Sequence, residues 1–227
     1  MSKRYKLGLV TLGQSPRVDV EPSLRSILGD DIQVCQRGAL DGLSAQEIKS
    51  LAPVEGEAGI ETCMHGENSI VNGVYVAKKY LLPRLVDAAE FLEKQCDYFF
   101  LLCSGQFPDL KKAVPGIIEP IVIIRSVVES IAANGHLCIV GPQSDMSAAP
   151  AQWAPYAAEV STSAASPYDG NDVLALAAEG AKNSGADFIL MDDMGFTESQ
   201  RKLVHEVSGI TTLGALSITA RVLQELI

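Results

Sequence analysis

Short apolar runs bounded by Gly, Pro, Asp and Ser alternate along the chain with segments of helical spacing. Runs of this length and content predict strands that are buried on both faces. The predicted strands are Leu7–Thr11, Ile32–Cys35, Tyr98–Cys103, Leu137–Val140, Ala157–Ser161 and Phe188–Met191. The predicted helices are Ala77–Gln95, Ile121–Ala133, Asp172–Ser184, Glu198–Val207 and Leu213–Leu226. This alternation indicates an α/β fold with a mostly parallel sheet, in which ligands bind beyond the carboxyl ends of the strands.

Two helix starts carry a capping signal, and one stretch lacks a clear period. Ser44 and Thr197 are each followed three residues later by Glu or Gln, the pattern in which side chain and backbone cap each other reciprocally. The stretch Ala52–Asn72 is rich in Gly and Glu and has weak periodicity. We predict it to be irregular, with one short strand at Glu61–Met64.

An internal repeat links the two halves of the chain. Asp97–Gly105 aligns at an offset of 90 with Asp187–Gly195, so that Cys103 matches Asp193. Each segment is a buried strand that ends in a polar tip. The repeat therefore predicts two related lobes, each of which presents a chemically active side chain at a strand end.

A second, weaker similarity lies earlier in each half. Leu9–Ser15 resembles Cys138–Ser144, again a strand that runs into a Gln-Ser turn. Together the repeats predict two similar three-layer α/β lobes, residues 1–115 and 116–227, with part of the C-terminal helix free to return to the first lobe. We expect both strand tips to face one ligand cleft between the lobes.

Composition narrows the classes of partner. The chain has 227 residues, of which 47% are hydrophobic, so it can bury a large core and is not a disordered protein. With 28 acidic and 18 basic side chains the net charge is −10, and no cluster of Lys and Arg is present to neutralise phosphates. This argues against nucleic acid and anionic membranes as partners. The longest apolar stretches are much shorter than the roughly 20 residues that span a bilayer.

Cysteine and histidine usage argues against disulfides and metals. The five cysteines are an odd number without a CxxC pair, and the three histidines are dispersed. The basic N-terminus is followed only by the short apolar run Leu7–Leu12 and then by Gly-Gln-Ser-Pro, which does not fit a secretory signal. We therefore expect a reducing, cytoplasmic location and no metal site.

Cys103 is the first candidate for chemistry. It follows a predicted strand and precedes Ser104-Gly105, a turn that exposes backbone N–H groups. Such an electropositive setting favours the thiolate, which can act as a base or a nucleophile. The alternative is that Cys103 is only a small buried hydrophobic residue, as many intracellular cysteines are.

Asp193 occupies the matching tip of the second half, next to Asp192. Mutual repulsion between adjacent carboxylates makes one of them hold its proton more tightly, so that one could serve as a general acid or base. The alternative is turn and cap chemistry, in which a carboxylate oxygen accepts N–H bonds from the residues that follow.

The turn after the first strand, Thr11–Arg17, is a candidate binding segment. Thr11, Gln14 and Ser15 offer hydroxyl and amide groups, and the Arg17 guanidinium could pair bidentately with a carboxylate. No GxGxxG or GK[ST] motif is present, so a small carboxylate is favoured over phosphate. The alternative, compatible with binding, is that Ser15-Pro16 begins a helix as an ordinary N-cap.

Four segments together resemble the AroM family over nearly the whole chain. They are Leu9–Arg17, Leu40-Asp-Gly-Leu43, Leu101-Leu-Cys-Ser-Gly105 and Met191-Asp-Asp-Met-Gly-Phe196. The resemblance implies the fold of the aspartate/glutamate racemase superfamily, whose enzymes work without metal or organic cofactor and are commonly homodimers. In its racemases two cysteines flank the α-carbon of the substrate; here the first corresponds to Cys103 and the second to Asp193.

The resemblance also implies anion holes for substrate carboxylates, formed by Gln14-Ser15, Ser104-Gly105 and Gly195-Phe196-Thr197. Helices that begin at Ser15 and Thr197 would add positive dipole ends there. Because a carboxylate is a much weaker base than a thiolate, Asp193 argues against symmetric racemisation and favours one-sided proton delivery. The leading hypothesis is a cofactor-independent racemase, isomerase or decarboxylase acting on a small carboxylic acid. The alternatives are a non-catalytic carboxylate-binding protein and a scaffold without a ligand.

Overall fold

The computed structural model describes residues 5–29, 31–66 and 70–227. The first four residues, on which the argument about a secretory signal partly depends, lie outside the described residues, as do positions 67–69 of the stretch predicted to be irregular. The chain divides into two compact units. Unit 1 consists of the residues up to Glu21 and of Gly29–Glu119, and unit 2 of Pro22–Leu28 and Pro120–Ile227.

Strands and helices alternate through most of the chain. The strands are β1 (Lys6–Thr11), β2 (Gln33–Gly38), β3 (Gly59–His65), β4 (Ile70–Ala77), β5 (Tyr98–Leu101), β6 (His136–Gly141), β7 (Glu159–Ala164), β8 (Phe188–Met191) and β9 (Thr211–Gly214). The helices are α1 (Glu21–Leu28), α2 (Ala45–Ser50), α3 (Lys78–Glu93), α4 (Pro108–Ala113), α5 (Pro120–Ala132), α6 (Ala149–Trp153), α7 (Asn171–Asn183), α8 (Glu198–Ser208) and α9 (Ala215–Gln224). The predicted α/β class is confirmed. In the described part of the chain, no helix has the length and apolar character to cross a bilayer.

Unit 1 is built on a three-stranded parallel sheet in the order β2-β1-β5. The central strand β1 is buried from Leu7 to Thr11. Helix α3 packs on β1 and β2 and places Leu81 and Leu85 in the core, where both are fully buried. Because the strands are parallel, the turn after β1 and the tip after β5 lie at the same edge of the sheet.

A second sheet of unit 1 is an antiparallel hairpin of β3 and β4. The predicted strand Glu61–Met64 lies inside β3, and residues 52–58 before it form neither helix nor strand, as predicted. The second strand, β4, which begins at Ile70, was missed. The signal was present in Val74-Tyr75-Val76, where β-branched and aromatic residues alternate between the two faces. Val76 is fully buried, whereas Tyr75 is 47% exposed.

Unit 2 contains a four-stranded parallel sheet in the order β7-β6-β8-β9. All six residues of β6 are buried. The prediction of a helix from Leu213 was wrong at its start, because Leu213 and Gly214 pair with β8 and the helix begins at Ala215. Helical periodicity could not reveal that the free edge of β8 would take the preceding residues as a strand.

Edge strands differ from the predicted burial on both faces. In β2 the side chains of Gln33 and Arg37 are exposed, and in β7 those of Glu159 and Thr162 are exposed. Each of these strands has one neighbour within its sheet, and an edge strand keeps polar side chains in water.

The repeat at offset 90 is confirmed by matching hydrogen bonds. Asp97 begins its strand by accepting a bond from the backbone N–H of Lys6 through Oδ2, at 2.9 Å. Asp187 accepts the equivalent bond from the N–H of His136 at 2.9 Å. In both units, therefore, the aspartate ties the start of the outer strand to the central one.

The weaker alignment of Leu9–Ser15 with Cys138–Ser144 was off by one residue. Val10 lies opposite Leu101 in the sheet of unit 1, and Val140 lies opposite Met191 in that of unit 2. Because Met191 is 90 residues after Leu101, Val10 corresponds to Val140, whereas the sequence alignment paired Val10 with Ile139. Gln14 therefore does not correspond to Gln143.

Candidate functional site

The turn after β1 is held by a residue that sequence reasoning had not assigned to the site, Asp41. Its carboxylate accepts bonds from the N–H and the hydroxyl of Ser15, both at 2.7 Å, and from the N–H of Gly38 at 2.8 Å. Helix α1 begins only at Glu21, so the interpretation of Ser15 as a helix N-cap was wrong. The available signal was Asp41-Gly42 after a strand, which is typical of a turn.

Gln14 connects this turn to two other segments. Its side-chain Nε2 donates to the carbonyl of Leu43 at 2.9 Å, and its Oε1 accepts from the backbone N–H of His65 at 2.7 Å. Its own N–H donates to the carbonyl of Cys63 at 3.3 Å. Gln14 thus fixes the hairpin against the end of β1.

Two glycines permit this close approach. A Cβ atom on Gly13 would lie 2.1 Å from the carbonyl oxygen of Cys63 in the hairpin. A Cβ atom on Gly38 would lie 2.3 Å from the carbonyl oxygen of Gly13. Any side chain at either position would push β3 or β2 away from the turn.

Arg17 uses its planar guanidinium inside the protein. Its Nε and one terminal nitrogen donate to the two oxygens of Asp19 at 2.9 and 2.8 Å, and the other terminal nitrogen lies 3.5 Å from the Thr11 hydroxyl. Arg17 is 8% exposed and Thr11 is 1% exposed. The predicted bidentate grip on a carboxylate is thus present in the structure, but the carboxylate is that of Asp19.

Cys103 lies at the same edge of the sheet, two residues beyond the end of β5. Its side chain is partly exposed and touches the core of unit 1 on one side. The N–H of Gly105 donates to its Sγ at 3.2 Å. Among the described residues, none accepts a bond from the amide or the hydroxyl of Ser104, which is partly exposed beside the sulfur.

Asp193 makes the equivalent contact in unit 2. Its Oδ1 accepts from the N–H of Gly195 at 2.6 Å, as Cys103 Sγ does from the residue two positions later. Its neighbour Asp192 has a different environment, since its Oδ2 accepts from Nε1 of the fully buried Trp153 at 2.9 Å. The two adjacent carboxylates therefore differ, and Asp193 is the one at the position equivalent to Cys103.

The residues after Asp193 mainly build the start of α8. Thr197 and Gln200 form the predicted capping box, with Gln200 N–H donating to Thr197 Oγ1 at 3.2 Å and Thr197 N–H donating to Gln200 Oε1 at 2.8 Å. Phe196 is 3% exposed and packs in the core of unit 2. The N–H groups of Gly195 and Thr197 are therefore already engaged within the unit.

Other cysteines have environments that disfavour the thiolate. Burial raises the pKa of Cys96 to about 12, and the neighbouring Cys35 thiol adds to this effect. Burial also raises the pKa of Cys138. In the described part of the chain, no group of three or more His, Cys, Asp and Glu side chains is arranged to hold a metal ion.

Comparison with protein families decides the classification. The model of the family described as AroM protein matches residues 7–227. This chain belongs to the AroM family. Among curated proteins, none matches the sequence of this AroM-family protein.

Solved structures place the AroM fold among racemase-like proteins. Unliganded arylmalonate decarboxylase is 12% identical, with 97% of this chain and 92% of that chain covered and a TM-score of 0.59. Maleate isomerase from Pseudomonas putida S16 is 11% identical, with coverages of 99% and 93% and a TM-score of 0.62. Glutamate racemase from Francisella tularensis in complex with D-glutamate is 10% identical, with coverages of 98% and 81% and a TM-score of 0.58. At these identities the similarity establishes the fold alone, which is an aspartate/glutamate racemase-like α/β fold.

Proposed function

We propose that this AroM-family protein is a cofactor-independent enzyme that acts at the α-carbon of a small carboxylic acid, with Cys103 as acid and base. The observation that carries the proposal is the hydrogen bond from the Gly105 N–H to Cys103 Sγ at the carboxyl end of β5. A backbone N–H directed at sulfur stabilises negative charge there and so favours the thiolate. Cys103 as a residue is partly exposed and not buried in the core.

The chemical step follows from these groups. The Cys103 thiolate removes the α-hydrogen as a proton, so that the C–H bond breaks, an S–H bond forms and the electron pair moves into the carboxylate as an enediolate. The amide and hydroxyl of Ser104 can donate to that developing charge. In a decarboxylase the direction is reversed, since loss of CO₂ leaves the electron pair on carbon and the thiol delivers the proton.

Asp193 is proposed as a second acid-base group of this protein, in unit 2. Asp193 makes the same kind of hydrogen bond as Cys103: in each residue a side-chain atom accepts from the backbone N–H two residues later. This equivalence supports the proposal. Because a carboxylate is a weaker base than a thiolate, proton transfer through Asp193 would be slower than through Cys103. The proposed reaction is therefore one-sided.

The names of the structural relatives support the class of substrate. They include a decarboxylase of arylmalonates, an isomerase of maleate and a racemase bound to D-glutamate. Arylmalonates, maleate and D-glutamate are all small carboxylic acids. Thr11, Gln14, Ser15 and Arg17 are proposed to shape the site rather than to bind the carboxylate directly, because most of their polar groups bond within unit 1. Gly195, Phe196 and Thr197 are proposed to form the turn that presents Asp193.

Exchange of the α-hydrogen in D₂O tests this function. Amino acids, hydroxy acids and arylmalonates are incubated with the wild type, Cys103→Ala and the control Cys35→Ala, another partly buried cysteine of unit 1. We expect deuterium incorporation or CO₂ release with the wild type and Cys35→Ala, and a loss of at least about 100-fold with Cys103→Ala. Equal rates for Cys103→Ala and the wild type would refute the assignment.

A second candidate function is carboxylate binding without turnover. The observation that favours it is the presence of Asp193 where racemases of the superfamily have a second thiol. It predicts that a small acid raises the melting temperature of Cys103→Ala as much as that of the wild type, while neither protein exchanges the α-hydrogen. A homodimeric assembly and a cytoplasmic location stay predictions.

A further inference from the structure

The turn after β1 presents hydrogen-bond acceptors rather than the donors that an anion hole requires. The N–H groups of Gln14 and Ser15 and the Ser15 hydroxyl all donate inside unit 1, to Cys63 and Asp41. A substrate carboxylate brought to this turn would be repelled by the Asp41 carboxylate, and it would find N–H and O–H groups that already donate to Asp41 and Cys63. The predicted role of Gln14-Ser15 as an anion hole therefore does not fit these contacts.

The hairpin adds His65 to this turn, a residue that the sequence did not assign to a site. Its backbone N–H bonds to Gln14, and its ring Nε2 lies 3.1 Å from the carbonyl oxygen of Pro16. A carbonyl oxygen only accepts hydrogen bonds, so this contact is a hydrogen bond in the tautomer in which Nε2 carries the hydrogen. In the neutral ring Nδ1 then has a lone pair and is an acceptor. The side chain is exposed, so a ligand can reach it.

We propose that His65 Nδ1 recognises the substituent on the α-carbon of the substrate by accepting a hydrogen bond from its hydroxyl or ammonium group. The inference rests on the proposed function and specifies its substrate class as hydroxy or amino acids. Ser104 beside Cys103 supplies the donors for the carboxylate at the same edge of the sheet. A malonate-type acid would instead bring a second carboxylate against the lone pair of Nδ1, so the same residue selects against it.

The choice of variant separates recognition from anchoring. In His65→Gln the amide nitrogen of glutamine replaces Nε2 and keeps a donor for the Pro16 carbonyl, but the acceptor at Nδ1 is lost. The matched control is His205→Gln. His205 is also exposed, but it lies on α8 in unit 2 and contacts the carbonyl of Ile210 through Nδ1, at 2.7 Å. This variant therefore controls for the loss of an exposed imidazole as such.

Binding of matched acids provides the measurement. The probes are lactate, alanine and propionate, and malate, aspartate and succinate, which within each set differ only in the hydroxyl, ammonium or hydrogen on one carbon. We expect the full-length wild type and His205→Gln to bind at least one donor-bearing acid about fivefold more tightly than its unsubstituted partner, the effect of one hydrogen bond. His65→Gln should lose this preference and bind the unsubstituted acid unchanged. Within a set, the donor-bearing acid that shows the preference tells hydroxyl from ammonium recognition, and the set itself tells a monocarboxylic from a dicarboxylic substrate.

Nitrogen NMR gives a readout that does not depend on affinity. With three histidines in the chain, ¹⁵N-labelled imidazole signals can be assigned by the two His→Gln variants. We expect His65 in the Nε2–H form, with the Nδ1 signal shifting when a donor-bearing acid binds. An Nδ1–H form, or a preference that survives in His65→Gln, would overturn the inference.

The outcomes also separate this inference from the proposed enzyme. If Cys103-dependent exchange occurs but His65→Gln keeps the preference, the recognition role is wrong and the function stands. If the preference depends on His65 but no acid is turned over, the recognition role stands and the proposed chemistry fails. If no acid binds to the wild type, both are refuted.

Discussion

Removal of the Asp41 carboxylate should destabilise unit 1 more than any exposed aspartate can. In Asp41→Ala the N–H and hydroxyl of Ser15 and the N–H of Gly38 all lose their acceptor. Hydrogen bonds to a charged group contribute about 1.5–3 kcal/mol each, which would give roughly 5–9 kcal/mol if the three were independent and fully buried. Because Asp41 and Ser15 are partly exposed, water replaces part of this loss. We expect the free energy of unfolding to fall by about 2–4 kcal/mol.

Two further variants locate the effect. Asp41→Asn keeps one acceptor oxygen, so its loss should be about half that of Asp41→Ala. Asp87→Ala removes an aspartate from the exposed face of α3 and should change the free energy by less than about 0.5 kcal/mol.

Urea unfolding followed by circular dichroism measures these free energies, and amide hydrogen exchange locates them. Exchange is needed because two compact units need not unfold in one step. The amides of Ser15 and Gly38 should lose protection in Asp41→Ala, whereas those in β8 should keep theirs. The reasoning is refuted if Asp41→Ala loses no more stability than Asp87→Ala, or if the Ser15 and Gly38 amides remain protected.

Three other changes test the environments of single groups. Trp153→Phe removes the donor to Asp192 and should cost about 2 kcal/mol in urea unfolding, read by circular dichroism because Trp153 is the sole tryptophan; no change would contradict the contact. Thr197→Ala removes the side-chain cap of α8 and should lower the free energy of unfolding by about 1 kcal/mol, while exposed Ser199→Ala serves as its comparison. Burial raises the pKa of Cys96 from 9.0 to about 12, so its contribution to stability is present below pH 9 and lost as the pH rises toward 12. Between pH 9 and pH 12 the free energy of unfolding should therefore fall less with pH in Cys96→Ala than in the wild type. If the free energies of the two proteins fall in parallel with pH, the raised pKa of Cys96 is refuted.

Local patterns predicted the elements whose residues carry their own signal. The two capping boxes and the strand Phe188–Met191 were found as predicted, because caps and buried strands depend on neighbours in the sequence. The repeat at offset 90 also located Cys103 and Asp193 at equivalent strand ends, where each accepts an N–H bond from the residue two positions later. Their chemical roles remain proposals.

The sequence failed where distant segments decide the use of a group. Ser15 was interpreted as a ligand-binding residue, but its hydroxyl donates to Asp41, 26 residues later in the chain. Arg17 was missed for a local reason, since the carboxylate that it binds is that of Asp19, two residues later. Likewise, Leu213 and Gly214 at the end of β9 were predicted as helix, because only the open edge of β8 makes them a strand.

By itself, the amino-acid sequence determined the α/β class, the duplicated strand tips and the membership in the AroM family, since these depend on periodicity and on residue identity along the chain. Tertiary structure alone decided which donors at the turn after β1 were already used and that His65 of the hairpin lies against this turn. Hydrogen bonding explains the difference, because a donor's availability is determined by acceptors that lie dozens of residues away in the chain and only meet it in the folded unit.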